Sequence, residues 1–290
     1  MRHAKREADE RAADATDTDA PEPGGPDTGE PRAADGATAR FPTADEVAAG
    51  DEAVPGGLVN RVVGVTWFLV ATYVRSGQVL FPLVLLGLII AVQSGMPASP
   101  GTSFADAAAF ALPVFALTTH QLLGAEPDVQ RAVSVRTAGS RTAYLAAGLF
   151  AALFVNLGFL LLSVASALRG PLGAHVLVGG SVLTTILVGL AVHLLTYLPG
   201  VALGALTSRT VTGDAPAEYV ALAAGLLIAI LPGMASGPAA WIALPLFRLL
   251  RAANADRLAL AAPGIALHVA VWTAVVTTAY LVLRLRARSA

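Results

Sequence analysis

Cysteine is absent from the 290-residue chain. That removes disulfides, thiolate metal sites and cysteine nucleophiles. Lysine is nearly absent: Lys5 is the only one, and the other 18 cations are arginine. With no GxxxxGK[ST] anywhere, the chain cannot supply the phosphate-gripping lysine of a nucleotide-hydrolysing loop. No HExxH zinc signature occurs, so no metal site is expected. Charge itself is scarce, at 13% of residues, against about 25% in a typical soluble domain. No basic tract is long enough to suggest nucleic acid as a partner.

What is present is apolar. The chain is 55% hydrophobic, with a mean hydropathy of +0.66. A water-soluble fold of this length could not cover so much apolar surface, so lipid is expected to solvate much of it.

The net charge of −1 conceals two different materials. Residues 1–58 hold 6 Lys/Arg and 14 Asp/Glu, whereas residues 59–290 hold 13 and 6. The first segment is rich in Ala, Asp, Glu, Gly, Pro and Thr, with sparse large apolar residues. It cannot bury enough apolar area to offset ordering entropy, so a disordered acidic tail is expected over 1–58. No apolar run follows its basic start, so it does not read as a signal peptide.

The segment 59–290 reads as an all-α membrane domain, a bundle of six transmembrane helices. Arg61–Arg75, apolar but bracketed by arginine and carrying Trp67 and Tyr73, reads as an N-terminal interfacial helix. The six expected spans are 78–92, 104–123, 142–168, 176–206, 219–234 and 264–285. A span needs about 20 apolar residues, and the first and fifth are short. Pro199-Gly200 offers the fourth a kink. Gly200 and Gly204 form a GxxxG, the spacing that lets membrane helices pack closely.

The arginines orient the bundle. With both termini cytoplasmic, Arg61, Arg75, Arg131, Arg136, Arg141, Arg209, Arg284, Arg286 and Arg288 fall inside. Arg169, Arg248, Arg251 and Arg257 fall outside. The last three lie in a loop over 232–263 whose WIALPLFRLLRAA stretch reads as a helix packed at the outer interface.

Chemistry-bearing residues within the spans are few. His120, His193 and His268 show no i, i+3 or i, i+4 pairing, so each reads as a histidine hydrogen-bonded inside the bundle rather than a haem ligand. Asp106 falls at the outer edge of the second span and Glu218 at the inner start of the fifth. Proton- and sodium-coupled carriers place carboxylates near the midplane, which argues against that class. Ser236-Gly237 with His268 is a poor match to an intramembrane serine protease, since Met234 stands where the motif needs glycine. No cofactor is implied.

The most informative polar segment joins spans two and three. In the 124–141 loop, Glu126 and Asp128 come first, and Val129, Ala132 and Val133 follow at helical spacing. Arg131 and Arg136 lie on other faces, and Ala138-Gly139-Ser140 stops the helix. Acid at the start and base at the end suit the helix dipole. The loop reads either as a plain charged connector or as a lever on which a cytoplasmic partner docks.

At this point the sequence resembles the permease subunits of ABC transporters of the ABC-2 exporter type, in particular small actinobacterial ones. Three features carry the resemblance. YVRSGQVLFPLVLLGL (Tyr73–Leu88) resembles that family's connecting helix running into span one. AEPDVQRAVSVRTAGSRTAYL (Ala125–Leu145) resembles its coupling helix, with the Gln130-Arg131 pair. The third is the six-span order with a longer outer loop before span six. The resemblance covers roughly 60–290. It implies a separate ATPase subunit docked through Glu126, Asp128, Gln130, Arg131 and Arg136, none of them catalytic. It also implies a second permease chain, identical or different, with the translocation path between the two in a bacterial cell membrane. Membrane lipids are the remaining expected contact. A path nearly free of charge suggests an apolar or amphipathic cargo. Another multi-span transporter, a membrane scaffold not coupled to an ATPase, or a membrane-embedded enzyme remain the alternatives. An enzyme would need convergent polar residues inside the spans, and few are present.

Overall fold

Runs of apolar residues with no water to satisfy their backbone must make their hydrogen bonds internally, and helices do so. In the computed structural model, the described residues are 57–94, 99–173, 178, 181–212, 215–235, 237–255 and 257–286. They are 89% helical and contain no strand. Most of the acidic tail expected over 1–58 lies outside the described residues, and its last residue, Leu58, already opens a helix.

The helices in chain order are α1 (Leu58–Arg75), α2 (Leu80–Gln93), α3 (Pro100–Gly124), α4 (Asp128–Ala138), α5 (Arg141–Gly173), α6 (Val182–Thr207), α7 (Arg209–Thr212), α8 (Ala215–Ile230), α9 (Leu246–Asn254) and α10 (Leu258–Arg286). Two 3₁₀ turns, Leu231–Met234 and Pro238–Trp241, link α8 to α9. Five helical segments are long and apolar enough to cross a membrane: Gly101–Gly124, Arg141–Arg169, Val182–Thr212, Pro216–Met234 and Leu258–Arg286. A sixth exists only if α1 and α2 count as one span, and they bend 72° from each other. The 14 residues of α2 reach roughly 21 Å, short of the ~30 Å hydrocarbon layer.

The sequence places these segments well and errs at their ends. Ser99 caps α3 by accepting the Thr102 amide, so that helix starts earlier than position 104. Ser181 caps α6 in the same way, so it starts at Val182 rather than 176. The last helix starts at Leu258 rather than 264 and carries Pro263 inside its second turn. Pro199 sits inside α6, which runs on through it. The WIALPLFRLLRAA stretch is only half helical: Trp241 closes a 3₁₀ turn, and α9 starts at Leu246. α9 buries Leu246, Leu249 and Ala253 against the bundle and leaves Arg248 and Arg251 exposed.

The core centres on α3 and α6. Gly200 and Gly204 let the two backbones meet. A Cβ at Gly204 would stand 2.1 Å from the Ala116 carbonyl oxygen, and one at Gly200 2.6 Å from Phe115 Cβ. The GxxxG of the sequence is therefore a contact face within one chain. Around it lie Phe115, edge-on to Tyr197 with ring centroids 5.5 Å apart, and the Asn156 amide, which donates to Thr119 Oγ1 at 2.9 Å. α5 thereby joins the α3–α6 pair.

Candidate functional site

The loop between α3 and α5 is built around one buried carboxylate. Pro127 cannot continue α3, and Asp128 opens a new helix after it. Gly139 ends that helix in the left-handed conformation, with φ +80°. α4 is thus a rigid eleven-residue element with defined ends.

Glu126 lies just before α4 and is 2% exposed. Its Oε2 accepts the Tyr144 hydroxyl at 2.6 Å, and its Oε1 accepts the Ser134 hydroxyl. Its backbone oxygen accepts Arg131 Nη2 at 3.0 Å. The carboxylate therefore ties the preceding turn to α4 and to the first turn of α5. Buried carboxylates need such donors, because desolvation otherwise costs several kcal/mol. Arg131 and Arg284 both stand close enough to Tyr144 to act on it electrostatically. Arg284, near the end of α10, also donates to Thr210 O at 2.9 Å.

With Ser134 and Ala138 turned inward, the other side of α4 faces out. Val129 is 84% exposed and Val133 61%, with Ala132, Arg136 and Thr137 also on the surface. The apolar spacing read from the sequence is thus an outward stripe.

The five residues singled out in the sequence part ways. Arg136 is exposed, and Gln130 and Arg131 are half-buried. Glu126 is inside. Asp128 starts α4, and its side chain lies outside the described residues. Tyr144 and Ser134 were not singled out. Both lie C-terminal to the carboxylate, Ser134 within α4 and Tyr144 beyond it in α5, too far along the chain for local spacing to point to them.

α1 lies against this assembly. It begins beside Ser140 and Thr142, and at its far end the Tyr73 hydroxyl reaches Gln121 Oε1 at 3.5 Å in the last turn of α3. Both its ends are therefore at the α4 end of the bundle. Thr66 donates to Ala147 O at 3.2 Å between them. Arg61 Nη1 lies over Gly139, 2.8 Å from where a Cβ would be. This sets a guanidinium at the C-terminus of α4, the negative end of its dipole.

The histidines have separate settings. His193 Nδ1 faces its own-helix Gly189 carbonyl at 2.8 Å and so must donate. Nε2 is left to accept the Ser163 hydroxyl at 3.0 Å. The pair has the hydrogen bond of a serine nucleophile and its base, but both residues are enclosed, at 2% and 0% exposure. A substrate has no approach, and the pair serves to pin α5 to α6. His268 Nε2 faces Trp241 O at 3.1 Å, and its ring stacks on that indole. His120 Nε2 stands 3.9 Å from Glu218 Oε2, with Tyr219 against the ring. The chain positions put both residues at the same end of the bundle, which could have suggested the pairing. Ser236 lies outside the described residues. Among the described residues no three His, Asp or Glu groups converge to hold a metal.

No protein-family profile, no curated protein and no solved structure matches the chain.

Proposed function

We propose that this chain is the membrane-spanning permease subunit of an ATP-driven exporter of the ABC-2 type. In this reading α4 is the coupling helix. A separate ATPase docks on it from the cytoplasm, and a second permease chain completes the translocation path in a bacterial cell membrane.

One observation carries the reading: a short helix clamped by a buried carboxylate presents apolar residues outward. Val129 and Val133 have no partner within the described chain that covers them. Exposed β-branched residues beside a cation suit a groove on another protein, where an amphipathic helix is read by its i and i+4 anchors. The Glu126 clamp supplies the other requirement of a lever. Force applied to α4 reaches α3 through the Glu126 backbone, α5 through Tyr144, and α1 through Arg61 over Gly139.

The docking roles divide accordingly. Val129, Val133, Gln130 and Arg136 meet the partner. Arg131 bridges surface and clamp. Glu126 acts from inside, by holding the helix. The chain itself has no phosphate-binding loop, so the motor is another polypeptide.

The test is affinity purification of the chain from native membranes, with Val129→Glu and Val133→Glu as surface variants. The wild type is expected to bring down a nucleotide-binding subunit and to stimulate its ATP hydrolysis. The double variant is expected to remain folded and lose both. Equal capture and equal stimulation by the double variant overturn the docking assignment. Absence of any ATPase from the wild-type complex overturns the function.

A further inference from the structure

His120 is enclosed, at 1% exposure, yet neither of its ring nitrogens completes a hydrogen bond. Buried polar groups are nearly always paired, so the exception needs a cause. Acceptors surround the ring. Glu218 Oε2 stands 3.9 Å from Nε2. The Thr207 carbonyl, at the end of α6, is turned toward the ring as well. It is among the last carbonyls of its helix, which have no partner within the helix and form the negative end of its dipole. A neutral imidazole brings one N–H to these acceptors, and an imidazolium brings two. The setting therefore fits the protonated ring. A lone buried imidazolium would be costly, and the carboxylate and the α6 terminus are what offset that cost.

Glu218 is placed by its own helix. It lies in the first turn of α8, where the helix dipole favours a carboxylate. Arg209, which opens α7, acts on the same carboxylate. Gly124 closes the site from α3: a Cβ there would stand 3.7 Å from Glu218 Oε2 and 3.6 Å from Arg209 Cβ. The anion is thus shared between a permanent cation and one that exists only when His120 takes a proton. The other titratable and charged groups set around the pair are Tyr219 of α8, with its ring 5.1 Å from the imidazole, and Arg284 of α10, which reaches α7 at Thr210 O. From α1, Tyr73 reaches Gln121, the next residue of α3. Asp214, four positions before Glu218, lies outside the described residues.

We propose that His120 and Glu218 form a proton-binding site that latches α8 onto the end of α3. With the proton bound, the two side chains close to a charge-assisted hydrogen bond between the helices. Without it, ring and carboxylate make no bond. The Pro216–Met234 segment, 22% buried, is then held mainly by apolar contacts such as those of Leu222 and Ala229. The Glu218 side chain is 11% exposed and gives the proton an entrance. Both groups lie at the α4 end of the bundle, so the site senses acidity on that side and is not a route across. The inference rests on the packing of α3, α7 and α8 and not on the exporter reading, so its test needs no ATPase.

The chain has five histidines and no cysteine, which suits both readouts. The full chain, carrying isotope-labelled histidine, is placed in lipid nanodiscs, and its imidazole resonances are followed from about pH 4 to 8. The signal missing from His120→Gln identifies the residue. His120 is expected to pass from neutral to doubly protonated within that range. Glu218→Gln removes the anion and should cost the ring about tenfold in proton affinity. Nitroxides on Thr137→Cys of α4 and Ala217→Cys of α8, both exposed positions, report the latch. Their distance distribution should narrow on acidification in the otherwise unsubstituted chain, and stop responding in His120→Gln and Glu218→Gln. Asp214→Asn should leave both readouts unchanged. A His120 ring that keeps one protonation state throughout overturns the proposal. So does a titration unmoved by Glu218→Gln or moved instead by Asp214→Asn, and so does a distance distribution that ignores pH.

Discussion

Alanine at Gly204 probes the α3–α6 contact most severely. Its Cβ would lie 2.1 Å from the Ala116 carbonyl oxygen and 2.8 Å from Thr119 Cβ, where ordinary contact begins near 3.4 Å. The backbone oxygen cannot rotate away as a side chain would, so the helices must part by about 1 Å, forfeiting dispersion along the whole contact. Overpacking of this kind costs about 1–3 kcal/mol. Displacing Thr119 also stretches its hydrogen bond from Asn156, at about 1 kcal/mol more. The expected loss is about 2–4 kcal/mol. Gly158 provides the control: it lies within α5, and a Cβ there would meet nothing within 4 Å. Gly158→Ala should be neutral or stabilising by up to ~1 kcal/mol, since glycine is the poorer helix former. Both variants can be compared by reversible unfolding in mixed micelles, titrating denaturing detergent and following helicity. If Gly204→Ala falls within ~0.5 kcal/mol of Gly158→Ala, the close α3–α6 approach is wrong.

The clamp on α4 can be read from a double-mutant cycle. Glu126→Gln and Tyr144→Phe should each destabilise the bundle, and the pair should cost less than their sum, with a coupling energy of about 1–3 kcal/mol. Additive effects would mean that the carboxylate and hydroxyl do not meet. Gly139→Ala must hold alanine at φ +80° and press on Arg61, which should cost about 1–2 kcal/mol. Proteolysis within 125–141 should quicken in that variant, and unchanged cleavage would contradict the left-handed cap.

The long apolar helices were legible because hydropathy over some 20 residues is a strong, local signal. The α4 helix was legible too, since Pro127 and Gly139 punctuate it at both ends. Its orientation was not. Val129 and Val133 at helical spacing look like a packing face, and only the Ser134–Glu126–Tyr144 bonds turn them outward. Glu126 itself looked like a surface acid because nothing near it in sequence announces a buried donor; Tyr144 is eighteen residues on. The approach of His120 to Glu218 likewise joins helices almost a hundred residues apart. Helix ends were misplaced where serine caps or an early proline extended or cut the apolar run.

The enclosure of α3 bears on how the chain is made. Of the candidate spans it is the least hydrophobic and the most enclosed, 78% buried against 17% for α10. A translocon releases a segment into lipid according to its own hydropathy. On the proposed membrane placement, α10 can partition unaided as it emerges, whereas α3, synthesised early, finds its proper surroundings only when α5 and α6 have followed it. Biogenesis on that placement has a waiting step: α3 must be sheltered until its later neighbours arrive.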